Sequence, residues 1–250
     1  MDKFATVFYT LCPLRQKTVG EIATKNKGAR EKGYTEKQHE IAEDMLSMGL
    51  QKLFHLDLKK LNIKKGIHGK PFIERNGQMP SVDDCYFNIS HCNGMVVCAV
   101  SNTEVGVDVE RIRPIRESIV SKCCNGQEQD YILNHRIPTT PFGAMSLPEG
   151  KGQGYILNQG IHRTNEKKSL NRGKEESFFR IWTLKESYIK MIGSGMGFPL
   201  CEVNFTLEEG NIKCNQAGYF VQSNLKDDYI LSICTKENAA ISQYDVLKLP

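Results

Sequence analysis

"YFNISHCNGMVVCAVSNTEVGVDVE", residues 86–110, reads as strands separated by turns at Asn93-Gly94 and across Ser101–Glu104. Its end, "GVDVE" (106–110), sets two carboxylates two residues apart in a run of valines. Side chains alternate along a strand, so Val105, Val107 and Val109 point one way while Asp108 and Glu110 point the other. A strand that is apolar on one face therefore carries two acids on the opposite face.

Upstream, "ATVFYTL" is a short opening strand. After a polar, basic stretch, the spacing of Ile41, Met45, Met48 and Leu53 predicts one amphipathic helix over 36–54. "IHGKPFIERNG" places Gly69-Lys70-Pro71 in a turn between short extended pieces. Downstream, 115–133 is helical in pattern. The stretch 134–176, rich in Gly, Asn, Pro and Lys, holds no period and reads as a long, low-order insertion. Because it joins elements that already end on either side, deleting about 137–174 is expected to leave a folded protein.

"SFFRIWTLKESYIKMIG" then predicts a helix with Gly193 at its C-terminal cap. Four short strands follow, "CEVNFTL", "GYFVQS", "YILSIC" and "DVLKL". Helix followed by strands thus occurs on each side of residue 105. The expected fold class is α+β, built as two similar halves, 1–105 and 106–250, with the insertion at about 134–176 inside the second.

Composition limits the functions. The chain has 250 residues, 40% hydrophobic and 25% charged, with one Trp, which is the balance of a globular protein. A net charge of +4 is too mild to argue for nucleic acid and suits an anionic ligand or acidic partner. The nine cysteines are odd in number and contain no C-x-x-C motif, so reduced thiols in a cytoplasmic protein are expected. No run is long and apolar enough to predict a membrane span, and no membrane partner is expected.

Two carboxylates on one strand face suit a hard divalent cation with oxygen ligands. For a lone D-x-E, a solvent-facing edge paired with Arg111 and Arg113 is the commoner explanation, so the pair needs corroboration. In "WTLKESYIK", Glu186 and Lys190 stand four apart on one helical face, where the acid can complete a metal site and the lysine can meet a phosphate. Taken alone, the same spacing is that of a common surface ion pair. "NISHC" adds Ser90 and His91, a pair that lacks the G-x-S-x-G elbow of a hydrolase.

The order Gly-Lys-Pro, "FNISHC", "VGVDVE", "WTLKESYIK", "GSGMGFPL" resembles the 4′-phosphopantetheinyl transferases of the larger, pseudo-dimeric, Sfp-like type, over roughly 65–133 and 178–235. The resemblance implies a pseudo-twofold molecule with its active site between the halves. It implies transfer of 4′-phosphopantetheine from coenzyme A to a serine of an apo acyl or peptidyl carrier protein, with release of 3′,5′-ADP. Asp108, Glu110 and Glu186 would hold Mg²⁺, Lys190 would contact phosphate, and Asp108, Glu186 and Lys190 would form the catalytic set. Gly69, Lys70, Pro71, Ser90 and His91 would line the nucleotide and 3′-phosphate side, and the basic pair Arg30 and Lys32 would stand in for the N-terminal phosphate-binding residues of such proteins. Where such proteins often carry an arginine after a helical histidine, this chain has Glu40 after His39. The expected partners are coenzyme A and a carrier protein, met by a monomer. Another Mg²⁺-dependent phosphoester enzyme, or a non-catalytic module binding coenzyme A or a carrier, are the alternatives.

Overall fold

The computed structural model describes residues 2–12, 27–74, 85–134, 152–157, 169–208, 210–226 and 228–248. The chain runs through β1 (Phe4–Leu11), α1 (Lys27–Phe54), β2 (Asn62–Lys65), β3 (Pro71–Glu74), β4 (Tyr86–Cys92), β5 (Met95–Ser101) and β6 (Val105–Arg111). It continues through α2 (Glu117–Cys123), α3 (Gly126–Leu133), β7 (Gly152–Leu157), α4 (Ser169–Ile192), β8 (Phe205–Glu208) and β9 (Asn211–Cys214), and ends with β10 (Gly218–Leu225), β11 (Tyr229–Thr235) and β12 (Ala240–Asp245). The fold is mixed α+β, as the element order predicts.

The alternation in β6 shapes the centre of the molecule. Val105, Val107 and Val109 are buried in an apolar core shared by two sheets that face each other. One sheet has the order β12-β1-β5-β4, the other β6-β11-β10-β7-β9-β8. The outer face of the first is covered by Ala42, Met45, Leu46 and Leu50 of α1, and that of the second by Phe179, Ile181, Leu184 and Ile189 of α4. The layers are therefore helix, sheet, sheet, helix. β4 and β6 are edge strands of their respective sheets, and they lie against each other at the seam.

Several elements depart from the sequence reading. α1 begins at Lys27, earlier than 36. Residues 115–133 form two helices, because Asn125 caps α3 with its side chain on Glu128 N while Glu128 bonds back to Asn125 N. The reading of 134–176 as a low-order insertion is corrected at 152–157, where β7 lies parallel to β10 on one side and antiparallel to β9 on the other, and at 169–176, which begin α4, while 135–151 and 158–168 lie outside the described residues. Glycines hid β7. A Cβ at Gly154 would stand 1.8 Å from Phe220 O, so the close backbone approach requires residues of low strand propensity. β9 was not foreseen, and the last strand is Ala240–Asp245, parallel to β1, instead of "DVLKL". Among the described residues no helix is long and apolar enough to cross a membrane.

Candidate active site

The site grows from Gly106. A Cβ there would lie 2.1 Å from Ser187 O and 2.3 Å from Met191 N, so the missing side chain lets α4 rest directly on β6. The next residues on that face of the strand are Asp108 and Glu110, and α4 brings Glu186 and Lys190 over them.

The free edge of β6 is tied by side chains, not by a ladder, to β4 of the first sheet and to the turn before β3. Val107 N donates to Asn88 Oδ1 (2.9 Å), Val109 N donates to Ser90 Oγ (3.3 Å), and Lys70 Nζ donates to Val105 O (3.2 Å). These groups alternate along the strand and all face away from β11, where an edge strand leaves its polar groups without ladder partners.

Asp108 is buried at 5% exposure. Its Oδ1 accepts from Lys190 Nζ (2.6 Å) and from Ser90 Oγ (2.9 Å), and Lys190 also donates to Ser90 Oγ (2.9 Å). Its Oδ2 is buried without a hydrogen-bond partner. Burial raises the Glu110 carboxyl, opposed chiefly by Arg113, which donates to Glu110 Oε2 at 2.6 Å and lies over the Phe179 ring. Burial also raises Glu186, and the charge of Asp108 raises it further, against Lys190.

Two clefts open beside this cluster. The larger, 520 Å³, is lined by His91, Cys92, Glu110, Arg111 and Arg113 among others. The smaller, 250 Å³, is lined by Gly69, Lys70, Pro71, Glu186, Lys190 and Gly193 with their neighbours. Desolvation and then His39, whose ring is 5.8 Å away, lower the His91 imidazole. Ser90, Asp108 and Lys190 are thus in contact, Glu110 and Glu186 flank them, and the Gly-Lys-Pro turn walls the smaller cleft. The Lys70 ammonium turns from the cleft to main-chain carbonyls. The side chains of Arg30 and Lys32 lie outside the described residues.

Among the described residues no three His, Cys, Asp or Glu side chains already close around one point. The donor set nevertheless suits a hard divalent cation, because the unpartnered Asp108 Oδ2 and two further carboxylates offer oxygens only. Sequence reasoning missed Asn88 and Lys185. Asn88 shares a face with Ser90 by the period of two in "FNIS", which was the available signal. Lys185, at 0% exposure, donates to Glu128 Oε2 (2.7 Å), Cys123 O (2.7 Å) and Leu200 O (3.0 Å), and nothing in its sequence neighbourhood marks a buried lysine.

Residues 154–234 match the sequence profile of the 4′-phosphopantetheinyl transferase superfamily. The chain is 30% identical to "4′-phosphopantetheinyl transferase gsp" of Aneurinibacillus migulanus over 160 residues, 64% of this chain and 50% of that protein. It is 24% identical to "4′-phosphopantetheinyl transferase psf-1" of Bacillus pumilus over 213 residues, 83% and 74% of the two chains. To "4′-phosphopantetheinyl transferase Sfp" of Bacillus subtilis (strain 168) it is 23% identical over 161 residues, 64% and 54%. The chain spans about half the length of the first of these relatives.

Proposed function

We propose that this protein transfers the 4′-phosphopantetheine group of coenzyme A to a serine hydroxyl of an apo acyl or peptidyl carrier protein, in the presence of Mg²⁺, releasing 3′,5′-ADP. The observation that carries the reading is the contact of Ser90, Asp108 and Lys190 at the seam of the two sheets, with Glu110 and Glu186 beside it and a cleft on either side. The names of the relatives support the same reaction.

In this reading the Lys190 ammonium meets the pyrophosphate of coenzyme A, since phosphoryl transfer gains mostly from positioning and charge stabilisation. Asp108, Glu110 and Glu186 would hold Mg²⁺, which would offset phosphate charge that three carboxylates otherwise repel. A Glu186 carboxylate oxygen accepts the serine proton, a role suited by the burial that raises it. The serine oxygen bonds to the β-phosphorus as the bond to the bridging oxygen breaks, and 3′,5′-ADP departs with that oxygen. In this reading Gly69 and Pro71 would face the nucleotide from the smaller cleft and His91 from the larger.

We read the molecule as two similar halves related by a pseudo-twofold, with the site between them. Support comes from the long helix laid on the outer face of each sheet and the single core between the sheets. β12 crosses back to the first sheet, so the division at 105 and 106 describes the site better than the last strand. All nine cysteines are free thiols, which supports a reducing, cytoplasmic setting.

The test is to incubate the protein with coenzyme A, Mg²⁺ and a panel of apo carrier proteins and follow intact mass. A carrier that gains one phosphopantetheine is the expected result, with transfer lost in excess EDTA and restored by Mg²⁺ or Mn²⁺. An unmodified panel rejects the transferase reading, and full turnover in EDTA rejects its cation requirement.

A further inference from the structure

Lys70 is the residue whose placement departs most from the expectation drawn from its motif. Its stem lies in the wall of the smaller cleft, yet its Nζ donates to Met191 O (2.6 Å) in the last turn of α4 and to Val105 O (3.2 Å) at the start of β6. Both acceptors are carbonyls that their own elements leave available, one at a helix C-terminus and one on a free strand edge. An ammonium at the C-terminal end also meets the negative pole of the helix.

The fit around the lysine is close. Gly193 (φ +71°) and Gly195 (φ +68°) turn the chain after α4 back over residues 66–70. A Cβ at 193 would stand 3.2 Å from Lys70 Cδ, and one at 195 would stand 2.9 Å from His68 Cβ. The turn itself is closed by Gly66 N donating to Lys70 O (2.8 Å) and Gly69 N donating to Gly66 O (2.9 Å). The hairpin turn and the end of α4 thus dock through the lysine stem and the two glycines.

We propose that Lys70 is a positioning residue, a clasp that fixes the 66–70 turn to the C-terminus of α4 and the start of β6, and that its side chain is not the ligand of a coenzyme phosphate. The clasp connects, through Met191 and Val105, the helix that carries Glu186 and Lys190 with the strand that carries Asp108. Its effect on ligand is then to set the cleft width for the whole nucleotide. Burial pulls the Lys70 pKa down to about 8, which agrees with an ammonium enclosed by protein and not by water.

The ligand part rests on the coenzyme A reading, while the clasp is read without ligand. Hydrogen exchange on the unliganded protein compares wild type with Lys70→Met, and with Lys70→Gln if the methionine variant is not recovered folded. The amides of Gly66, Gly69 and Gly193 are expected to exchange faster together, by on the order of ten-fold or more, while β8 and β9 are unchanged. Unchanged exchange at Gly193 overturns the clasp. In the second arm, affinities for coenzyme A and for dephospho-coenzyme A, which lacks the 3′-phosphate, are measured by calorimetry. Loss of the clasp lowers both by the same factor. Loss confined to coenzyme A makes Lys70 a phosphate ligand and overturns the proposal. Wild type that binds neither compound refutes the coenzyme reading and leaves the exchange arm to decide the clasp.

Discussion

Glu186 sits partly buried beside Asp108, while Lys190 one turn on holds Asp108, so the two residues should fail differently. Glu186→Gln keeps the shape and an oxygen but loses the charge and the base. Single-turnover transfer is expected to fall by about 10²-fold or more while coenzyme affinity changes far less. Lys190→Ala should lower both affinity and rate, by about 1.5–3 kcal/mol for a charge-assisted hydrogen bond, because the ammonium attracts phosphate in the ground state too. Calorimetry beside a single-turnover assay separates the two patterns, and wild-type values for both variants would remove α4 from the site. Lys185 obeys another logic. Its removal as Lys185→Met leaves Glu128 charged and enclosed, an arrangement that costs about 3–5 kcal/mol, whereas Lys185→Met with Glu128→Gln should recover much of the loss. Denaturant unfolding checks this, and equal stabilities of the single and double variants would contradict it.

At the scale of elements, β7 decides what the second sheet can lose. Deleting 137–174 removes the strand that joins β10 to β9, together with Ile156 of the core, so β8 and β9 lose their attachment. Contrary to the expectation from composition, such a variant should show no cooperative melt by calorimetry. A wild-type-like transition would mean that β7 is dispensable. Gly154→Ala should destabilise by about 1–3 kcal/mol, because its Cβ meets the Phe220 main chain. What the sequence made legible follows the same physics. β4, β5 and β6 were readable because Asn93-Gly94 and 101–104 are true turns and the valines alternate. The acids, Ser90 and Lys190 were readable because strand and helix periods place them on defined faces. β7 was not, since glycines chosen for close approach carry no strand pattern. Lys185 and the clasp of Lys70 were not, since a lysine's partners are set by tertiary packing that local spacing does not encode.

Across the whole molecule, the free thiols make stability depend on pH. Cys98 and Cys234 are fully enclosed, and Cys124 and Cys214 nearly so. Burial raises all four, Cys124 and Cys214 to about 12, against an ordinary value of 9.0. Above pH 9 the unfolded thiols ionise while the folded ones keep their protons, so the unfolded state binds fewer protons and stability falls as pH rises. Lys70 opposes this. Its value is lowered from 10.5 to about 8, so between those limits the unfolded state binds more protons and stability rises. Burial raises Cys92 and Cys123 as well, so the thiols together outweigh one lysine and stability falls between pH 9 and 10. Urea unfolding at pH 7.5, 9 and 10 should therefore show a midpoint that drops sharply in the last step. In native protein at pH 7.5 a thiol reagent should label Cys201, the exposed cysteine, well before these four. A midpoint that is flat to pH 10, or fast labelling of the four, would show that the thiols are not enclosed between the helices and sheets as described, and the core that holds α4 over β6 would need to be redrawn.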